Sequence, residues 1–160
     1  MKTLRFAVLV RAPREAVWDA MLADATYRLW TAPFSEGSYF EGSWEAGAKI
    51  RFLGPGGQGI TSEIAESRRP EVVSIRHLGL VKDGVDDTTS PEAAAWAPSY
   101  ETYTFAEADG GTEVTATLDV PPDFEEYMTT TWPVASDSVK GSPWRSRQRG
   151  RWRVGSSASR

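Results

Sequence analysis

The sequence predicts an α+β fold in which one antiparallel sheet is followed by a long C-terminal helix. Three observations predict it. Between Phe34 and Val120 apolar residues recur with period two in short runs broken by glycine, as they do in strands with one buried face. Between Pro13 and Trp30 the spacing is helical, which places two short helices after the first strand. Beyond the Pro121-Pro122 break, Phe124, Met128, Trp132, Ala135 and Val139 return to helical spacing.

Each element has its own local warrant. Leu4, Phe6, Val8 and Val10 alternate with Arg5, Ala7 and Leu9, and Ala12-Pro13 ends that first strand. Proline suits a first helical position because its missing N–H would be unbonded there anyway, so a helix is expected over 13–22 with Val17, Trp18, Met21 and Leu22 on one side. Asp24 suits the cap of a second helix running to Trp30. The runs KIRFL and GITSEIAES flank GPGGQG, which reads as a hairpin. EVVSIRHL, SYETYTF and TEVTATLDV continue the sheet, the last two joined by AEADGG. The connection over 82–98 is long, and within it Ser90-Pro91-Glu92 supplies a cap, a first-turn proline and an acid for a short helix presenting Trp96.

Composition narrows the chemistry. The chain has 160 residues, 40% hydrophobic and 25% charged, which suits one globular domain; the boundary is expected at 1–140, with 141–160 an irregular or disordered basic tail. Residues 1–140 hold twelve basic and all twenty-two acidic residues, a balance of −10, whereas 141–160 holds six arginines and no acid. The absence of cysteine excludes disulfides and thiolate chemistry, and a single histidine excludes a histidine-rich metal site, so no metal and no cofactor are expected. FAVLV near the start is five residues, too few for a membrane span, and a cytoplasmic location without membrane insertion is expected. RSRQRGRWR mixes arginine with tryptophan as nucleic-acid-binding segments do, but it sits on an acidic body, which argues against a nucleic-acid partner. GPGGQG lacks the Lys-Ser/Thr of a phosphate loop, and DGVDD lacks the alternating ligands of a calcium loop.

Eight words in this order carry a resemblance: APREAVWDAM, YRLWT, EGSYFEGSWEAG, SEIAE, SIRHLG, YTF, GGTEVT and TWPVA. Together they resemble the START-like, or SRPBCC, superfamily, in the branch named for homology to the activator of the heat-shock-chaperone ATPase. The resemblance implies a helix-grip fold, a curved antiparallel sheet wrapped around the long C-terminal helix, with a cavity between them for an apolar or amphipathic ligand. It implies no catalytic motif, because this superfamily hosts binders, cyclases, aromatase-like enzymes and chaperone cofactors alike.

Strand phase then nominates the cavity wall. Val73, Ile75 and the only histidine, His77, share a face opposite Arg76; Ile60, Ser62 and Ile64 share one opposite Glu63. In SYETYTF the pair Tyr103 and Phe105 makes its face the inner one, which carries Glu101 inward as well. An inward carboxylate needs a raised pKa, water, or a partner such as His77 or a tyrosine hydroxyl. Phe52, Ser62, Ile75 and Tyr103 complete the expected sheet side of the site, and Trp30, Trp96, Tyr127, Met128 and Trp132 its roof and mouth. The function expected is enclosure of a small hydrophobic or aromatic ligand whose polar end is oriented by His77 and Glu101. Two alternatives stay open: a cyclase- or isomerase-type enzyme using the same pair for acid–base chemistry, and a chaperone-associated interaction domain without a ligand. The chain is expected to be a monomer or a homodimer.

Overall fold

The computed structural model describes residues 1–140 and, as backbone, 153–157. Strand β1 (Lys2–Val10) buries Leu4, Phe6, Val8 and Val10, the phase its alternation requires. Helix α1 (Arg14–Leu22) starts after Pro13 and buries Val17, Trp18, Met21 and Leu22. After the single linking residue Ala23, α2 (Asp24–Thr31) turns Tyr27, Trp30 and Thr31 inward. Asp24 does not cap this helix; it stands inside the first turn and pairs with Arg28 at 3.3 Å.

Seven strands follow the opening unit: β2 (Tyr39–Gly42), β3 (Lys49–Leu53), β4 (Gly59–Arg68), β5 (Val72–Lys82), β6 (Val85–Asp87), β7 (Ser99–Ala108) and β8 (Gly111–Val120). All pair antiparallel in the order β2-β3-β4-β5-β7-β8-β1, with β6 lying alongside β5. Gly59 faces Leu53 across the β3–β4 hairpin, where a Cβ would stand 1.9 Å from the Phe52 carbonyl oxygen, so only glycine lets the two strands meet there. The 82–98 connection is not an open loop. Asp83 and Gly84 both take positive φ, at 51° and 78°, and close a tight β5–β6 hairpin. The expected short helix is α3 (Pro91–Ala94), whose Ser90 Oγ accepts the Ala93 N–H at 3.1 Å.

A 3-10 turn over Pro122–Phe124 leads into α4 (Glu125–Lys140). Trp132, Ala135 and Val139 are buried, and Lys2 Nζ reaches Glu125 at 2.6 Å, tying the start of α4 to β1. The sheet curves around α4, which gives the helix-grip arrangement. Its core joins Leu4, Phe6, Val17, Trp18, Ile64, Val73 and Leu118 to the helix faces, each such side chain contributing on the order of 1.5–3 kcal/mol of burial. Among the described residues no helix is long and apolar enough to cross a membrane.

Residues Arg153–Ser157 form β9, antiparallel to β1 with Phe6 opposite Val154. Because β8 pairs only one side of β1, the other row of β1 backbone N–H and C=O groups is free to receive a strand. Residues 141–152 and 158–160, the rest of that expected tail, lie outside the described residues.

Candidate ligand-binding site

Between the inner face of the sheet and the helices lies a cavity of about 300 Å³, lined from α2, the segment after it, the β3–β4 hairpin, β5, β7 and α4. Its inner end is aromatic because three separate periodicities converge there. Trp132 on α4 packs 5.6 Å from Trp30 on α2, 5.8 Å from Tyr103 on β7 and 5.5 Å from Phe34, and stacks on Phe6 of β1 at 5.7 Å. Offset and edge contacts at these distances satisfy the ring quadrupoles and hold the wall rigid. Trp30 itself is fixed by its indole N–H, which donates to the Met21 carbonyl at 2.9 Å.

The polar side comes from the β4–β5–β7 ladder. His77 stands opposite Ser62 on one neighbour and Ser99 on the other, while Glu101 stands opposite Ile75. This diagonal offset brings His77 Nε2 to 3.4 Å from Glu101 Oε1. The Tyr103 hydroxyl, two residues along the same strand face, donates to Glu101 Oε2. Behind the imidazole, Ser62 Oγ lies 2.7 Å from Nδ1. Ser62 is fully buried, so a hydroxyl that accepted from an Nδ1–H would keep its own proton unbonded. Hydrogen-bond accounting therefore assigns Ser62 as donor into Nδ1, and the Nε2–H to the Glu101 side. Burial first, and the neighbouring Glu101 charge second, push both the Tyr103 and the Tyr27 phenol well above the ordinary tyrosine range. Both phenols are thus neutral hydrogen-bond donors at neutral pH.

At its outer end the cavity is polar. Ser35 and Gln58 are exposed there, and the Gly54 N–H donates to the Gln58 carbonyl at 2.8 Å to set the rim of the β3–β4 turn. The site is a pocket with a wet mouth, a dry aromatic end and one carboxylate on its wall.

A family model described as Activator of Hsp90 ATPase homolog 1-like protein matches residues 11–141. The chain belongs to this family. Among solved structures, this Aha1-like chain is similar to the Aha1 dimer from Colwellia psychrerythraea, with a TM-score of 0.67 and 18% identity over 89% of this chain and 96% of that one. It is also similar to protein MLL2253 from Mesorhizobium loti, with a TM-score of 0.68 and 13% identity over 91% and 99%. A third likeness is to CalU16 from Micromonospora echinospora, at 0.60 and 16% over 89% and 77%. At these identities the likeness establishes a shared fold. No curated protein sequence matches the chain.

Within the Aha1-like fold, the residues nominated from sequence divide cleanly. Trp30, Phe52, His77, Glu101, Tyr103, Met128 and Trp132 line the cavity. Ser62, Ile75, Trp96 and Tyr127 do not. Ser62 stands directly opposite His77 in the β4–β5 ladder and hydrogen-bonds its Nδ1, which puts it behind the imidazole instead of beside the cavity. Ile75 is only 1% exposed and belongs to the core. Trp96 packs 4.4 Å from Phe124, away from the pocket. Tyr127 precedes Met128 by one residue, about 100° around α4, so it is exposed and its hydroxyl donates to the Phe34 carbonyl. Ile60, which strand phase put on the inner face, lines the cavity, and Tyr27, Thr31 and Phe34 line it without having been nominated. Tyr27 was findable, since it lies one helical turn before Trp30 on the same face. Phe34 follows the end of α2 in a segment with no period, and carries no sequence signal.

Proposed function

We propose that this protein encloses a small hydrophobic or amphipathic ligand in the cavity between the sheet and α4, with Glu101 and His77 orienting its polar end. The observation that carries this reading is the division of one 300 Å³ cavity into an aromatic inner end and a single hydrogen-bonded carboxylate. Such a division matches how ligand pockets work: apolar area supplies affinity, and a few fixed polar groups set orientation. Family membership supports it at the level of fold.

N-phenyl-1-naphthylamine, a neutral fluorescent probe, tests the reading. It brightens on entering an apolar cavity, and its binding should be lost in Ile60→Trp, which fills the lining beside Phe52. Equal probe binding by both proteins, or none by either, would overturn it. Native mass spectrometry of the purified protein should also find a retained small molecule.

A second reading has its own observation. Ser62, His77, Glu101 and Tyr103 form one continuous hydrogen-bonded series ending at the cavity, which suits proton transfer of the cyclase or isomerase type. Turnover lost in His77→Ala while ligand affinity persists would favour catalysis over binding.

A further inference from the structure

The charge inventory of the cavity goes beyond its volume. Among the described residues that line it, Glu101 is the only carboxylate, and no lysine or arginine is present. Three other titratable groups face Glu101: Tyr103, Tyr27 and His77. Tyr103 donates a hydroxyl to Oε2 and Tyr27 is a buried neutral phenol. With the Ser62 hydroxyl donating into Nδ1, His77 turns its Nε2–H toward Glu101 at 3.4 Å. A carboxylate takes about four hydrogen bonds in all. With one short donor and one long one it keeps acceptor capacity toward the cavity.

The rest of the wall points the same way. Trp30, Trp132, Phe34, Phe52 and the two tyrosines line the space, and aromatic ring faces attract a cation. Away from bulk water this attraction is strengthened.

We infer that the cavity is selective for ligands that join an aromatic or apolar body to an ammonium group, the nitrogen held against Glu101 and the body among the rings. This rests on the reading that the cavity binds a ligand at all, and adds the chemical class of that ligand. An ammonium on a short chain supplies the missing donors to Glu101 and neutralises it, whereas a carboxylate on the same chain meets a like charge and no cationic side chain.

Three probes of matched length test it: 4-phenylbutylammonium, 4-phenylbutanol and 4-phenylbutanoate. Each is titrated calorimetrically, with the emission of Trp30 and Trp132 as a second readout. The ammonium is expected to bind at least about tenfold more tightly than the alcohol, and the carboxylate more weakly than either. In Glu101→Gln the ammonium should lose that advantage and bind no more tightly than the alcohol, with a cooperative urea transition showing that the variant is folded. Should the variant fail to fold, the order of the three probes on the native protein decides alone. Equal binding of ammonium and alcohol, or preference for the carboxylate, overturns the inference and leaves ligand enclosure standing. No binding of any probe while N-phenyl-1-naphthylamine binds overturns the inference by itself. Failure of all four removes both.

Discussion

Ser62 Oγ and His77 Nδ1 lie 2.7 Å apart across the β4–β5 ladder, both side chains buried. The relationship matters because it fixes the Nδ1 side of the ring, whose Nε2 side faces Glu101. Direct cross-strand pairing sets the serine against the imidazole, just after an extra residue in β5, Leu78, shifts the register.

Ser62→Ala should therefore act on both stability and the imidazole. Removing the hydroxyl leaves a buried ring nitrogen without its partner, at a cost of about 1–3 kcal/mol in urea unfolding. The tautomer should also change, which nitrogen-15 shifts of the single histidine would report directly. An unaltered imidazole spectrum in the variant would contradict the assignment of Ser62 as donor.

Much of this geometry was legible in the sequence, and the part that was not has a physical cause. Alternation placed His77 inward, and the Tyr103–Phe105 pair fixed the phase that brought Glu101 beside it. Helical spacing placed Met128 and Trp132 on one face of α4. Ser62 keeps the inward phase of Ile60, but His77 stands opposite it and takes up its hydroxyl, a cross-strand pairing that alternation within one strand does not show. Trp96 escaped because its direction depends on where Phe124 lies, a contact between segments far apart in the chain. The short hairpin β6 was hidden in a run that reads as an acidic loop, although its Asp83-Gly84 turn is a recognised hairpin signal.

The two buried phenols set an alkaline limit on stability. Their folded-state pKa values are raised, by burial first and by the Glu101 charge second, above the ordinary value of 10.0 that they regain on unfolding. A group so shifted contributes its stability in full below the unfolded value, and loses it as pH rises beyond, because only the unfolded chain then releases the proton. The urea midpoint should accordingly stay level with respect to these groups below about pH 9 and fall above about pH 10. In Tyr103→Phe the alkaline fall should be shallower than in the native protein. Identical slopes in the two proteins would count against burial of the phenol.

Gly59 is the position where the β3–β4 hairpin has no tolerance. Its missing side chain allows the Phe52 carbonyl to approach to 1.9 Å of where a Cβ would be, and the atom in the way is backbone, which cannot rotate aside. Gly59→Ala should cost about 1–3 kcal/mol by forcing the strands apart. Since Phe52, Leu53 and Gly59 all line the cavity, probe affinity should fall along with stability. Gly56→Ala makes the informative control: it lies in the same turn with no atom within 4 Å, but at a φ of 80°. Its cost is backbone strain without a clash, so it should lower stability by only about 1 kcal/mol and spare probe binding.

Trp132 joins the parts of the aromatic end, because Phe6, Trp30, Phe34 and Tyr103 all pack on one indole. Trp132→Ala should cost about 3–5 kcal/mol, as the cavity it opens joins the one already present. Trp132→Phe keeps a ring against Phe6 and Trp30 and should cost less. The two variants separate packing from recognition. The phenylalanine protein should remain folded, with its unfolding transition still cooperative, while the enlarged pocket accepts N-phenyl-1-naphthylamine with altered affinity. Unchanged affinity in a folded Trp132→Phe protein would mean that the probe does not reach the indole, and that the aromatic end belongs to the core rather than to the site.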